Sequence, residues 1–195
     1  MARILIVEGA SRGLHLAGAL VAEGHAVRVV TSSSERRVEI ERAGAECFLG
    51  TPHRLATLRG ALEHVTIACW LLADASGDPE LVRALHGSRL ERFVCGAIDT
   101  TLRGFVYETG GSAVPAEVLE QGERIVLETA ARNSIPVATL KVDPLDFNEW
   151  LVSARAAVSS LLEGRCSNTD ARYAGAYIPK SRSAFDDEAS TQEDN

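Results

Sequence analysis

An α/β fold, in which one parallel six-stranded sheet is covered by helices on both faces, follows from three features of this 195-residue sequence. Short aliphatic runs rich in β-branched residues alternate along the chain with longer stretches whose apolar residues recur at helical spacing. Capping and turn residues stand at the junctions between the two patterns. The first junction is a small-residue loop, Gly9-Ala10-Ser11-Arg12-Gly13, between the first strand and the first helix.

Residues 3–7 form an apolar run suited to a strand buried on both faces. Beyond the loop, Leu14, Ala17 and Val21 recur at helical spacing with Leu16 and Leu20 alongside, and Gly24 stands at the usual C-terminal stop. Residues 26–31 are the second strand. Ser34 is placed to cap a helix over 35–43, and Gly44 ends it. Residues 46–49 form a third strand, 54–62 a helix and 65–72 a fourth strand. Asp78-Pro79 supplies an N-cap followed by proline at the first helical position. The helix that follows is interrupted near Gly87 and resumes through Ile98. Residues 104–108 are the fifth strand. Pro115 opens a helix striped by Val118, Leu119, Ile125 and Val126, and 136–142 is the sixth strand. Asp146 and Glu149 have capping-box spacing ahead of a last helix carrying Phe147, Trp150, Leu151, Ala154, Val158 and Leu161.

Strands alternating with helices imply right-handed crossovers and three αβα layers. Six such units suggest the strand order 3-2-1-4-5-6, a doubly wound Rossmann-type sheet. Residues 1–163 are thus expected to form one dinucleotide-binding domain, which leaves little chain for a separate substrate domain. Periodic hydrophobicity stops at Gly164. Residues 164–195 are polar and acidic, a composition that cannot offset its ordering entropy, and are expected to be disordered.

The net charge of −7 argues against a nucleic-acid partner, because phosphate backbones need clustered Lys and Arg. No apolar run approaches the ~20 residues of a membrane helix. The N-terminus reads as a first strand rather than a secretory signal, so a cytoplasmic protein is expected. Cys47, Cys69, Cys95 and Cys166 show no metal spacing, and no metal site is expected. Three of them sit in apolar segments and read as small buried hydrophobes of a reducing compartment.

In open α/β sheets ligands lie outside the carboxyl ends of the strands, where the strand order reverses. Gly9, Ala10, Ser11, Arg12, Gly13 and Leu14 follow the first strand there. Small residues at the positive end of a helix let backbone amides approach a phosphate. The expected ligand is a dinucleotide, with its pyrophosphate on this loop. The adenosine ribose belongs at the end of the second strand. Thr31 and Ser32 offer hydroxyls there, no acid stands at the strand end, and Arg36 and Arg37 suit a 2′-phosphate. NADP(H) is therefore expected in preference to NAD(H), which remains an admissible ligand. A solvated helix face, with Arg36 and Arg37 paired to Glu39 or Glu41, is the bland alternative. Thr51 after the third strand and Leu71, Leu72 and Ala73 at the end of the fourth complete the cofactor set.

These residues carry a resemblance. Residues 4–142 resemble an atypical short-chain dehydrogenase/reductase, close to the NmrA-like and NAD-dependent epimerase types. The glycine loop is similar to their TGxxxGxG or TGxxGxxG turn. Gly50-Thr51-Pro52 with Leu55 and Leu58 resembles the segment after their third strand, and Arg103-Gly104-Phe105-Val106-Tyr107 their fifth strand. Residues 1–163 more narrowly resemble small NAD(P)-binding proteins of actinobacterial type. Three departures stand out. His15 occupies the place of a third glycine, and Thr51 replaces the aspartate that the family sets against the adenine amino group. The helix over 115–133 holds neither the Tyr nor the Lys of the family's Tyr-x-x-x-Lys pair, while Tyr177 and Lys180 stand one residue short of that spacing in the tail.

Two readings of function follow, and a fainter third. The first is an NADP-dependent oxidoreductase or isomerase of unidentified substrate, with Thr109 or Ser76 donating to it. The second is a non-catalytic NmrA-like sensor that passes the state of the dinucleotide pool to a protein partner. The third is an S-adenosylmethionine methyltransferase, suggested only by Val7-Glu8-Gly9 and lacking Gly-x-Gly spacing. A homodimer through the helices over 79–98 or 115–133 would resemble the family, but packing on the sheet explains the same apolar faces. Single residues have plain readings too: Asp74 and Ser76 as loop and cap, Tyr107 as a packed aromatic, Lys141 with Asp143 as an edge pair, His15 as a packing residue, and His53, His64 and His86 as solvated.

Overall fold

The computed structural model describes residues 1–8 and 12–164. Six strands form one parallel sheet: β1 (Arg3–Glu8), β2 (Ala26–Thr31), β3 (Glu46–Leu49), β4 (Ile67–Leu71), β5 (Gly104–Glu108) and β6 (Val137–Leu140). Their order is β3-β2-β1-β4-β5-β6, the order the sequence predicts. The register sets Ile4 beside Val27 and Ile67, and Ile67 beside Gly104, so the sheet interior is a block of aliphatic side chains.

Successive strand residues point to opposite faces, and both faces are buried, which explains runs with no polar alternation. On one face Ile4, Ile6 and Cys69 pack with Leu16 and Leu20 of α1 (Arg12–Ala22), Ile40 of α2 (Arg37–Arg42), and Trp150 and Ala154 of α6 (Phe147–Leu162). On the other, Leu5, Val7 and Trp70 pack with Leu85 of α3 (Pro79–His86), Leu90 and Phe93 of α4 (Ser88–Ala97), and Val126 of α5 (Ala116–Arg132). No helix among the described residues is long and apolar enough to cross a membrane.

Local signals hold at several ends. Asp78 caps α3 by accepting from the Glu80 N–H at 2.8 Å, and Asp146 caps α6 by accepting from the Glu149 N–H at 3.2 Å. Other expectations are corrected. The cap near the second helix is Ser33, not Ser34, and it opens a 3-10 turn (Ser34–Arg36) ahead of α2. The helix expected over 54–62 is two 3-10 turns, Leu55–Leu58 and Gly60–Leu62. Buried Arg28 of β2 holds the end of this segment: its guanidinium donates to the Ala61 carbonyl at 2.7 Å and the Gly60 carbonyl at 3.1 Å. The Gly60 carbonyl also accepts the Glu63 N–H at 3.3 Å, the i→i+3 bond of the second turn. The same guanidinium pairs with Glu46 at 3.0 Å and lies 5.6 Å over the Phe48 ring.

Cys69 is buried as expected, but Cys47 is half-buried and Cys95 is exposed, because α4 turns it away from the sheet. Cys166 and the rest of the tail lie outside the described residues. Lys141 pairs with Glu123 of α5 at 3.9 Å rather than with Asp143.

Candidate functional site

The strand order reverses between β1 and β4, so the crevice opens beyond the carboxyl ends of those two strands. Gly9, Ala10 and Ser11 of the expected phosphate loop lie outside the described residues. Arg12 and Gly13 are not loop but the first residues of α1, two positions earlier than the apolar spacing suggested.

Arg12 does not project outward to a phosphate. Its guanidinium turns under the crevice, ion-pairs with Asp74 through Nη1, and donates from Nη2 to Glu108 Oε2 at 2.7 Å. It also lies 5.1 Å over the Trp150 ring. Glu108 is the last residue of β5, and its side chain is wholly buried. Its Oε2 also accepts the Ala73 N–H at 2.9 Å, and Oε1 accepts from Trp150 Nε1 at 2.7 Å. Burial pushes the Glu108 carboxyl above the usual range, and Arg12, the Ala73 N–H and the Trp150 N–H each hold it back. This buried ion cluster ties the carboxyl ends of β4 and β5 to the starts of α1 and α6.

Sequence reasoning missed the cluster. The available signal was Glu108 at the end of an otherwise apolar strand in a doubly covered sheet. A carboxylate there needs a cation, and Arg12 at the neighbouring strand end could meet it.

A cavity of about 360 Å³ lies beyond the ends of β2, β3 and β4. Its wall brings together Thr31, Ser32, Arg36, Thr51 and Leu72 of the expected cofactor set, and adds Asp74 and Ser76. Arg37 does not line it; its guanidinium reaches Glu41 at 3.5 Å, one helical turn along. Arg36 lies 3.8 Å from Glu39. The Thr31 hydroxyl accepts the Ser33 N–H at 3.2 Å, and the Thr51 hydroxyl accepts the His53 N–H at 3.3 Å. Both threonines thus shape the turns that form the wall. His53 is exposed, as expected of a solvated residue, and stands on the rim of this cavity. Asp74 Oδ1 is buried and accepts no hydrogen bond among the described residues.

Leu71, Leu72 and Ala73 are all buried. Ala73 serves the site through its N–H to Glu108, and Leu72 is part of the cavity wall. Leu14 is half-buried against the core. His15 is exposed, with its ring edge-on to Phe147 at 4.9 Å. The two candidate hydroxyls differ. Ser76 is exposed on the cavity wall, whereas the Thr109 hydroxyl is turned back onto the Leu140 carbonyl at 3.3 Å.

Tyr107 is a packed aromatic, wholly buried, and His86 is buried beside it rather than solvated. The Leu72 carbonyl lies 3.1 Å from His86 Nε2 and can only accept, so Nε2 carries the proton. Nδ1 then accepts from the Tyr107 hydroxyl at 2.7 Å. Burial holds the imidazole pKa down at about 4, against the opposing Leu72 carbonyl. Burial pushes the Tyr107 phenol up, with Glu123 and Glu108 adding to the shift. The pair is sealed from the crevice and is no proton donor to a ligand there. Tyr177 and Lys180 lie outside the described residues.

Fold and crevice together define a Rossmann-type αβα unit. No protein-family model and no curated protein matches the sequence. Solved structures share the fold. A UDP-Glc/GlcNAc 4-epimerase from Campylobacter jejuni superposes with a TM-score of 0.61 at 12% identity, over 72% of this chain and 53% of that one. A short-chain dehydrogenase/reductase superfamily protein from Agrobacterium tumefaciens with bound NAD gives 0.59 at 16% identity, over 71% and 48%. Vestitone reductase from alfalfa gives 0.55 at 15%, over 72% and 56%. The chain has the fold of the short-chain dehydrogenase/reductase and epimerase structures, and spans about half the length of each.

Proposed function

We propose that the chain binds a nicotinamide dinucleotide, NADP(H) in preference to NAD(H), as an atypical member of the short-chain dehydrogenase/reductase group. The observation that carries this reading is the cavity beyond β2, β3 and β4, in which a strand end without an acid meets Arg36 and the hydroxyl-bearing wall of Thr31, Ser32 and Thr51. Its volume suits the adenosine half of a dinucleotide, since ligand clefts run roughly 300–1,000 Å³. Asp74 Oδ1, buried without a donor among the described residues, suits a hydroxyl or amino group of the ligand. Gly13 opens α1 at the positive end of the helix dipole, where a pyrophosphate would be held. The NAD in the superposed Agrobacterium protein and in a UDP-glucuronic acid 4-epimerase from Bacillus cereus supports the ligand class.

Bound NADP(H) would supply a hydride. This chain's own part in an oxidoreductase or isomerase reaction would then be to hold the ligand, with Ser76 presenting a hydroxyl to a substrate. A second reading, dinucleotide sensing without turnover, is favoured by the sealed Tyr107 and by Thr109 being committed to Leu140. Calorimetric titration with NADPH, NADH and S-adenosylmethionine tests the proposal. Binding of NADPH at least tenfold tighter than NADH is expected, with the preference lost in Arg36→Ala; a charge-assisted contact of about 1.5–3 kcal/mol sets that scale. Equal affinities, or binding of S-adenosylmethionine alone, would refute it. Consumption of NADPH with a carbonyl compound separates enzyme from sensor.

A further inference from the structure

A second concavity, of about 900 Å³, lies on the α3–α4 side of the sheet, between the two 3-10 turns and α4. Arg54 and Arg59 stand on one wall, and Arg89 and Arg92 on the other. None of the four lines the dinucleotide cavity. Elsewhere on the surface Arg36, Arg37, Arg83, Arg132 and Arg155 each rest against a carboxylate. Among the described residues the four groove arginines have no such partner, and Arg89 meets only the His53 imidazole, at 3.3 Å. The His53 pKa is held down by burial first and by the Arg89 charge second. Between the arginines the lining is apolar, with Leu55 half-buried and Phe93 beneath.

Four guanidinium groups with no carboxylate partner among the described residues, around an apolar floor on a chain of net charge −7, call for an acidic occupant with an apolar anchor. The sequence contains one. Residues 183–195 carry Asp186, Asp187, Glu188, Glu193 and Asp194 with no Lys or Arg, and Phe185 directly precedes the first acidic cluster. We propose that this groove is the docking site of residues 183–195 of the same chain, with Phe185 on the apolar floor and the acids against Arg54, Arg59, Arg89 and Arg92. The residues between Gly164 and Ser183 can span roughly 60 Å when extended, at about 3.3–3.6 Å per residue. A domain of this size has a radius of gyration near ~15 Å, so the groove is within reach. A segment too polar to fold alone orders where charge and a pocket are supplied.

The test uses the full chain with p-benzoylphenylalanine at position 185, irradiated in low salt and mapped by mass spectrometry. Adducts are expected within one chain, on residues 54–62 and 88–96. They should fall about tenfold in Arg89→Glu/Arg92→Glu and in high salt, and persist in Arg89→Lys/Arg92→Lys. Gly96→Trp is the second variant: a Cβ at Gly96 meets nothing within 4 Å, so the helix tolerates the change while the indole fills the groove. It too should abolish the adducts, with the circular dichroism melt unchanged. Adducts elsewhere on the chain, adducts only between two chains, or yields indifferent to both variants would overturn the assignment.

Discussion

Replacing Arg12 by methionine removes the cation from the buried cluster while keeping much of the side-chain volume. Glu108 then stays wholly buried with the Ala73 and Trp150 N–H groups but no opposing charge. Breaking one side of a buried pair costs about 3–5 kcal/mol. Asp74 adds less, because about a quarter of its side chain is exposed and water can solvate it. At ~2–4 °C per kcal/mol for a domain of this size, the melting temperature should fall by roughly 10 °C. Glu108→Gln sets an amide N–H₂ against N–H donors and should cost about 1–3 kcal/mol. The double variant Arg12→Met/Glu108→Gln should be less destabilised than the sum of the two. The pH dependence has a definite sign. Burial raises the folded pKa of Glu108 above its unfolded value, so its contribution to stability is present below about 4.5 and is lost as pH rises through the folded pKa. Without Arg12 that pKa rises further, and Arg12→Met should lose more stability at pH 7 than at pH 5. Urea unfolding followed by tryptophan fluorescence reads all of these. A loss below ~1 kcal/mol in Arg12→Met, or additivity within about 0.5 kcal/mol, would refute the coupling.

His86, with a folded pKa of about 4 against 6.5, contributes stability that is present above pH 6.5 and lost as pH falls towards 4. The loss amounts to about 3 kcal/mol at ~1.4 kcal/mol per pKa unit; in urea titrations His86→Asn should flatten this acid limb, and an unchanged limb would assign it to carboxylates. Gly122→Ala should lower the melting temperature by several degrees, since its Cβ would stand 1.9 Å from the Tyr107 hydroxyl oxygen. Overpacking of this kind costs about 1–3 kcal/mol, and Tyr107→Phe should recover part of it; a neutral Gly122→Ala would contradict the packing. Gly13→Val should abolish NADPH binding in calorimetry while circular dichroism shows a folded protein, and retained affinity would remove the pyrophosphate from this helix start.

Most of the architecture was legible in the sequence, because its signals are local. The apolar runs of β1 and β4, the Asp78-Pro79 start of α3 and the Asp146 cap of α6 each act within a few residues of themselves. Parallel strands buried on both faces cannot be mistaken for half-exposed ones, and the alternation of strand and helix leads to the order β3-β2-β1-β4-β5-β6. Of the candidate site, the cavity wall was legible at Thr31, Ser32, Arg36 and Thr51, since each follows a strand end whose position the topology sets. The tertiary structure alone decided where the charges go. Arg12 read as a phosphate-loop residue until its guanidinium was seen against Asp74 and Glu108, partners 62 and 96 positions away. His86 read as solvated until Tyr107, 21 positions on, closed over it. Residues 54–62 read as helix, and nothing local showed that the Gly60 carbonyl would also meet Arg28, on a strand 32 positions earlier. In each case the free energy of a polar group depends on which partner lies within hydrogen-bond reach once water is excluded, and that is a property of the packed chain rather than of its neighbours in sequence.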